Sequence, residues 1–96
     1  GVIMHTRTIW KYPLKPIEYQ ELEIPSGHPI SVAIQKDFAG NETLCLWAEV
    51  LPDTDPFKYA IHIYGTGHPM DPQGSGDFLG TVQTDGLVFH VYSERL

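Results

Sequence analysis

Five histidines are the first residues to weigh for chemistry, because imidazole titrates near neutrality and ligates metals. They are His5, His28, His62, His68 and His90, and none falls into His-x-His, His-x-x-x-His or His-Glu-x-x-His spacing. His62 and His68 flank a glycine-rich stretch. With Asp71 or Asp77 they would supply three nitrogen and oxygen ligands, enough for a zinc ion with one open position and a metal-assisted hydrolysis. That arrangement requires the loop to fold back on the preceding strand, and a histidine beside proline in a turn is ordinarily a surface residue. No metal site and no cofactor is therefore assigned. The carboxylate pairs Asp53/Asp55 and Asp71/Asp77 could do acid–base work only if an apolar pocket raised one pKa. In proline- and glycine-rich surroundings they read as turn caps bonding their own backbone.

Nucleophiles are scarce. Cys45 alternates within an apolar run and reads as inert, and a single cysteine cannot form an intramolecular bridge. Ser75 sits in Gly74-Ser75-Gly76, which lacks the Gly-x-Ser-x-Gly spacing of a nucleophile elbow. Gly65, Gly67, Gly74 and Gly76 leave backbone N–H groups unshielded, and such groups can form an anion-binding nest for a phosphate or nucleotide, with His68 beside it. Neither a Walker loop nor a dinucleotide fingerprint is present, and a long hairpin loop would explain the same glycines.

The elements that must position these residues read as strands. Phe57–Tyr64 alternates and delivers the chain into Tyr64-Gly65-Thr66-Gly67-His68-Pro69-Met70, the densest punctuation in the sequence. Upstream, Thr6–Tyr12 is β-branched and aromatic, with Trp10 and Tyr12 on one face, and Pro13 and Pro16 are expected to stop it. Glu18–Ile24 places Leu22 and Ile24 inward, and Ile30–Gln35 alternates after a turn at Pro25–Pro29. Lys36–Glu42 has hairpin character. Thr43–Leu51 is apolar on both faces and reads as a central strand. Phe78–Thr84, Asp85-Gly86 and Leu87–Tyr92 form the strongest local signal, a type I′ hairpin. Its register sets Val82 opposite Phe89, Gly80 opposite Val91, Thr81 opposite His90 and Leu79 opposite Tyr92. Ser93–Leu96 reads as a frayed end.

About seven short strands at this spacing, with no helical period, predict an all-β fold. The expected form is a small antiparallel β-sandwich or partly open barrel with a C-terminal hairpin, a single domain over residues 1–96. A curved sheet dimerising over its second face, through Trp47, is the alternative. Gly1–Met4 is expected to be a cloning remnant or disordered. Ser26-Gly27-His28-Pro29-Ile30 echoes Thr66-Gly67-His68-Pro69-Met70, which would fit either a duplicated unit or ordinary turn chemistry.

The formal net charge is −6, from twelve acidic and six basic residues, no two of the latter adjacent. That composition disfavours a nucleic-acid backbone as partner and suits solubility or a basic protein partner. No apolar run approaches the roughly 20 residues of a membrane-spanning helix, and no charged-then-apolar leader opens the sequence, so no membrane association and a reducing, cytoplasmic setting are expected.

Ile9-Trp10-Lys11-Tyr12-Pro13-Leu14, Cys45-Leu46-Trp47-Ala48, Ile63-Tyr64-Gly65-Thr66-Gly67-His68-Pro69, Phe78-Leu79-Gly80-Thr81-Val82 and Leu87-Val88-Phe89-His90-Val91-Tyr92 together resemble a family of small tailed-phage and prophage proteins carried as a domain of unknown function. The resemblance implies a bacterial or phage cytoplasmic setting. It supplies no accepted activity and no catalytic residues. Small acidic phage proteins without catalytic motifs often act by binding. The expected function is thus a non-enzymatic binding module, a host-defence antagonist that sequesters a nucleotide signal or inhibits a host protein. Its expected contact residues are Tyr64, Gly65, Thr66, Gly67 and His68, with the aromatic residues Trp10, Tyr12 and Trp47. The rival readings are a metal-assisted hydrolase and a homo-oligomeric structural accessory protein.

Overall fold

The computed structural model describes residues 6–96; His5 and the Gly1–Met4 segment lie outside the described residues. Short runs that alternate with period two or, in β4, are apolar on both faces make every described element a strand: β1 (Thr8–Leu14), β2 (Tyr19–Pro25), β3 (His28–Lys36), β4 (Glu42–Val50), β5 (Pro56–Gly65), β6 (Asp77–Thr84) and β7 (Leu87–Arg95). They pair into two antiparallel sheets, ordered β1-β4-β3 and β2-β5-β7-β6. The backbone spans 54 × 40 × 15 Å, and the short dimension holds two layers about 10 Å apart. The expected all-β sandwich is the observed fold.

The core lies between the layers. Leu44, Leu46, Ala48 and Val50 of β4 face Tyr59, Ile61 and Ile63 of β5, with Leu14, Ile24, Val82 and Val91 closing the flanks. β4 is central, as its two apolar faces require. Its outer face carries Cys45, which is buried under a strap in which Lys11 Nζ on β1 donates to Gln35 Oε1 on β3 at 2.8 Å.

Several local expectations are corrected. β1 runs through Pro13 to Leu14 because β1 is an edge strand, where a missing N–H interrupts no ladder on its open side. β3 starts at His28, so the turn after β2 is confined to Ser26 and Gly27. The Asp85-Gly86 hairpin forms with positive φ at both turn residues, and Val82, Gly80 and Thr81 meet Phe89, Val91 and His90 as expected. Leu79 does not meet Tyr92, however. The register shifts between Phe78 and Gly80, so Phe78 takes that place. One extra residue there turns Leu79 onto the core and Phe78 outward. Ser93–Leu96 is not frayed: β7 runs to Arg95, Ser93 is buried, and the Leu96 N–H donates to the Lys58 carbonyl at 2.9 Å.

Candidate functional site

The glycine-rich stretch is not a hairpin loop. β5 and β6 both pair with β7, on opposite sides, and therefore run parallel. Gly65 stands opposite Phe89 and Asp77 opposite Ser93. Residues 66–76 must travel back along β7 by about 13 Å and across it by about 10 Å, with no helix to do it. The path lies over the outer face of the four-stranded sheet. Thr66 Oγ1 bonds His90 Nε2 at 2.8 Å, and Thr81 Oγ1 bonds His90 Nδ1 at 3.0 Å. Further along, Ser75 Oγ meets Tyr64 Oη at 2.6 Å, and both residues are buried. Two tight turns give the crossover its shape. In Gly65–His68 the His68 N–H donates to the Gly65 carbonyl at 3.1 Å, with Gly67 at φ +85°, the position at which a type II turn demands glycine. In Asp71–Gly74 the Gly74 N–H donates to the Asp71 carbonyl, and Asp71 Oδ1 accepts from the Gln73 N–H at 2.9 Å. Asp71 is thus a turn cap.

Beside the crossover runs a row of rings that the sequence reading did not single out. Tyr19 of β2 lies opposite His62 of β5, His62 opposite Tyr92 of β7, and Tyr92 opposite Phe78 of β6. The row spans the whole sheet at right angles to its strands. Tyr19 meets His62 edge-on with centroids 5.4 Å apart, and Phe78 meets Tyr92 at 5.3 Å. Tyr64, one step along β5, joins the row at 6.3 Å from His62 and 6.1 Å from Tyr92. His62 and Tyr64 lie nearly parallel, 6° apart, whereas Tyr19–His62, Tyr64–Tyr92 and Phe78–Tyr92 are edge-to-face, and aromatic pairs of this kind each contribute about 0.5–1.5 kcal/mol beyond area burial. The centre is covered, while the two ends stay open: Tyr19 is 49% exposed and Phe78 56%. The signal for this row was present as one aromatic or histidine at an outward position of each strand. Its assembly depends on strand order and on the bulge at Leu79.

The next row is acidic. Glu21, Ala60 and Glu94 stand side by side on β2, β5 and β7. Ala60 leaves a low floor between two carboxylates. Glu94 Oε2 lies 3.4 Å from His62 Nε2, a buried nitrogen with no hydrogen-bond partner among the described residues, and Lys58 Nζ lies 4.0 Å from Glu21. Partial desolvation raises the Tyr19 phenol above its ordinary pKa, and the neighbouring Glu21 and Glu94 carboxylates push it further.

The structure separates the residues chosen from the sequence. Tyr64 is buried under Ser75 and forms part of the floor. Gly65, Thr66 and His68 come together with Gly86, Leu87, Val88 and Phe89 around an open hollow of about 380 Å³. The His68 ring lies against Gly65, 2.9 Å from where a Cβ would stand. Trp10 and Tyr12 share the core side of the three-stranded sheet, opposite Ala48 and Leu46. Trp10 overhangs its rim, 41% exposed, while Tyr12 Oη donates to the Glu23 carbonyl at 3.1 Å and latches β1 to β2. Trp47 points to the outer side of that sheet, between Lys11 and Ser31. The expected joint aromatic face of Trp10, Tyr12 and Trp47 therefore does not form, because odd and even strand positions face opposite ways. Among the described residues no three His, Cys, Asp or Glu side chains gather to hold a metal ion. His62 sits against Glu94 while His68 sits at Gly65. The two Gly-His-Pro turns also differ. Gly27 packs on the Glu49 backbone, whereas the Gly67 position is open with positive φ; the echo is not a repeated structural unit.

Among the described residues no helix is long and apolar enough to cross a membrane. Nothing among curated proteins and no solved structure matches the chain. The family described as "Domain of unknown function (DUF7352)" matches residues 5–96, and the chain belongs to it.

Proposed function

We propose that this protein is a non-enzymatic binding module of a phage or prophage, working in the bacterial cytoplasm by occupying a host protein. The observation that carries this reading is the row Tyr19–His62–Tyr92–Phe78. It is held rigidly across four strands, open at both ends, and edged by Glu21 and Glu94. Rigid aromatics on a sheet face give contact area at little entropic cost. The carboxylates and the net charge of −6 favour a partner segment carrying Lys or Arg beside an apolar anchor.

The nucleotide-sequestering version has weaker support. Between Tyr64 and Asp77 the charged residues are Asp71 and Asp77, with no Lys or Arg to meet a phosphate, and the His68 and Gly74 amides are already spent in turns. The two versions separate in one experiment. A displayed random peptide library is selected on wild-type protein and re-tested on Tyr19→Ala/Phe78→Ala, alongside thermal shifts with cyclic and linear nucleotides. The expected result is enrichment of Lys- and Arg-containing peptides that lose at least about tenfold in affinity on the double variant, the scale of a hot-spot pair, with no nucleotide shift. A nucleotide shift abolished by Gly67→Ala or His68→Ala would replace the protein partner with a nucleotide. Wild-type light scattering showing an oligomer that Trp47→Ala dissolves would move the reading to a self-assembling accessory protein.

A further inference from the structure

At one end of the sandwich the layers part. Ile34 of β3 and Phe89 of β7 pack against the core yet stay half-exposed, and both line the opening between the layers together with Pro16 of the segment that links β1 to β2. The result is a cleft of about 300 Å³ lined by Leu14, Pro16, Ile34, Leu44, Leu87 and Phe89, with Glu42, Thr43 and Thr84 as its polar members. Leu14 and Leu44, both core residues, form part of its lining. Thr84 Oγ1 of β6 donates to Glu42 Oε2 of β4, joining the two sheets at this cleft, and Lys36 Nζ lies 3.6 Å from Glu42 Oε1.

We infer that this cleft is a binding site for a small apolar amine, a flat aromatic or short alkyl group with a cationic head. Small-molecule sites are concave, mostly apolar and equipped with a few polar groups that orient the ligand, and about 300 Å³ is the lower end of their range. It is also about twice the volume of an engineered apolar cavity that takes up benzene, so a two-ring body fits. The head is chosen by charge. Among the described residues Glu42 is the lining's one ionisable group, and a carboxylate has about four lone-pair sites, so it retains acceptor capacity beyond Thr84 and Lys36. A carboxylate-headed ligand would meet Glu42 as a like charge. This site lies between the sheets and does not depend on the aromatic row of the outer face.

The test uses 2-naphthylmethylamine, 2-naphthylmethanol and 2-naphthoate, titrated into the protein and followed by methyl and amide NMR. Saturable shifts at Leu14, Ile34, Leu44 and Leu87 are expected, with the amine about tenfold tighter than the carboxylate, the scale of one charge-assisted hydrogen bond. Ile34→Trp, at the half-exposed position, should abolish binding while keeping the dispersed spectrum of the folded protein. Glu42→Gln should retain naphthyl binding and bring amine and carboxylate within about twofold. No saturable binding by any of the three, shifts centred outside the cleft, or an amine preference that survives Glu42→Gln would each overturn the inference.

Discussion

At the residue scale the central fact is that Tyr64 and Ser75 hold each other inside the protein. Removing either hydroxyl strands the other in a buried place, which costs about 1–3 kcal/mol. Tyr64→Phe and Ser75→Ala should each destabilise by that amount in urea unfolding. Their double variant should fall short of the sum by about 1 kcal/mol, the size expected for directly bonded groups. The crossover glycines make a second contrast. Gly67 has φ +85° and open space around it, whereas Gly76 has φ +86° and a Cβ there would lie 2.2 Å from the Ser93 carbonyl oxygen. Gly67→Ala should therefore cost only the left-handed strain, about 1–2 kcal/mol. Gly76→Ala must also move backbone and should cost about 3 kcal/mol or more. Tyr19 supplies a titration. Its phenol is raised by partial burial and then by Glu21 and Glu94, so its neutral form is the one the fold favours. The stability it contributes is complete below its ordinary 10.0 and is lost as pH rises through the folded value. In ultraviolet difference titration against Tyr19→Phe, Tyr19 should ionise late, and Glu21→Gln should bring it closer to the ordinary value.

At the element scale, what could be read from the sequence was local and what could not be read was long-range. The period-two runs and the Asp85-Gly86 turn carry their structure in neighbouring residues, so the strands and the last hairpin were legible. The crossover was not. The glycines of residues 65–76 look the same whether they return a hairpin or carry the chain over a neighbour, and the choice is made when β7, the last strand, inserts between β5 and β6. The aromatic row shares that origin, since Tyr19 and Phe78 lie on strands separated by two others. The passage of β1 through Pro13 is long-range in the same sense: its tolerance depends on β1 being an edge, which is a property of sheet order. The β3–β4 hairpin is local and makes a local prediction. Asp37 at its tip accepts from the Asn41 and Ala39 amides, and hydrogen bonding, led by Asn41, lowers its pKa below the ordinary 3.8. The stabilisation is present above 3.8 and lost as pH falls through the lower folded value. Hydrogen exchange at the amides of Ala39 and Asn41 should accelerate relative to the sheet core in that acid window, and in Asp37→Ala the acid dependence should vanish.

At the scale of the whole molecule, a two-layer slab offers two broad outer faces, and they differ in kind. The β1-β4-β3 face is strapped by Lys11–Gln35 over Cys45. The β2-β5-β7-β6 face carries the aromatic row, the acidic row and the crossover. Its charge should speed the arrival of a basic partner, so association should slow as salt shortens the screening length from about 10 Å at 0.1 M toward about 3 Å at 1 M. The most direct measurement is amide chemical-shift mapping with the strongest peptide selected on the wild-type protein. A partner seated on the aromatic row should perturb Tyr19, Glu21, His62, Phe78, Tyr92 and Glu94, with binding weakened by Tyr19→Ala/Phe78→Ala, and that is the expected result. Perturbations centred on Ile9, Ser31 and Trp47, with the double variant binding as tightly as the wild type, would contradict it.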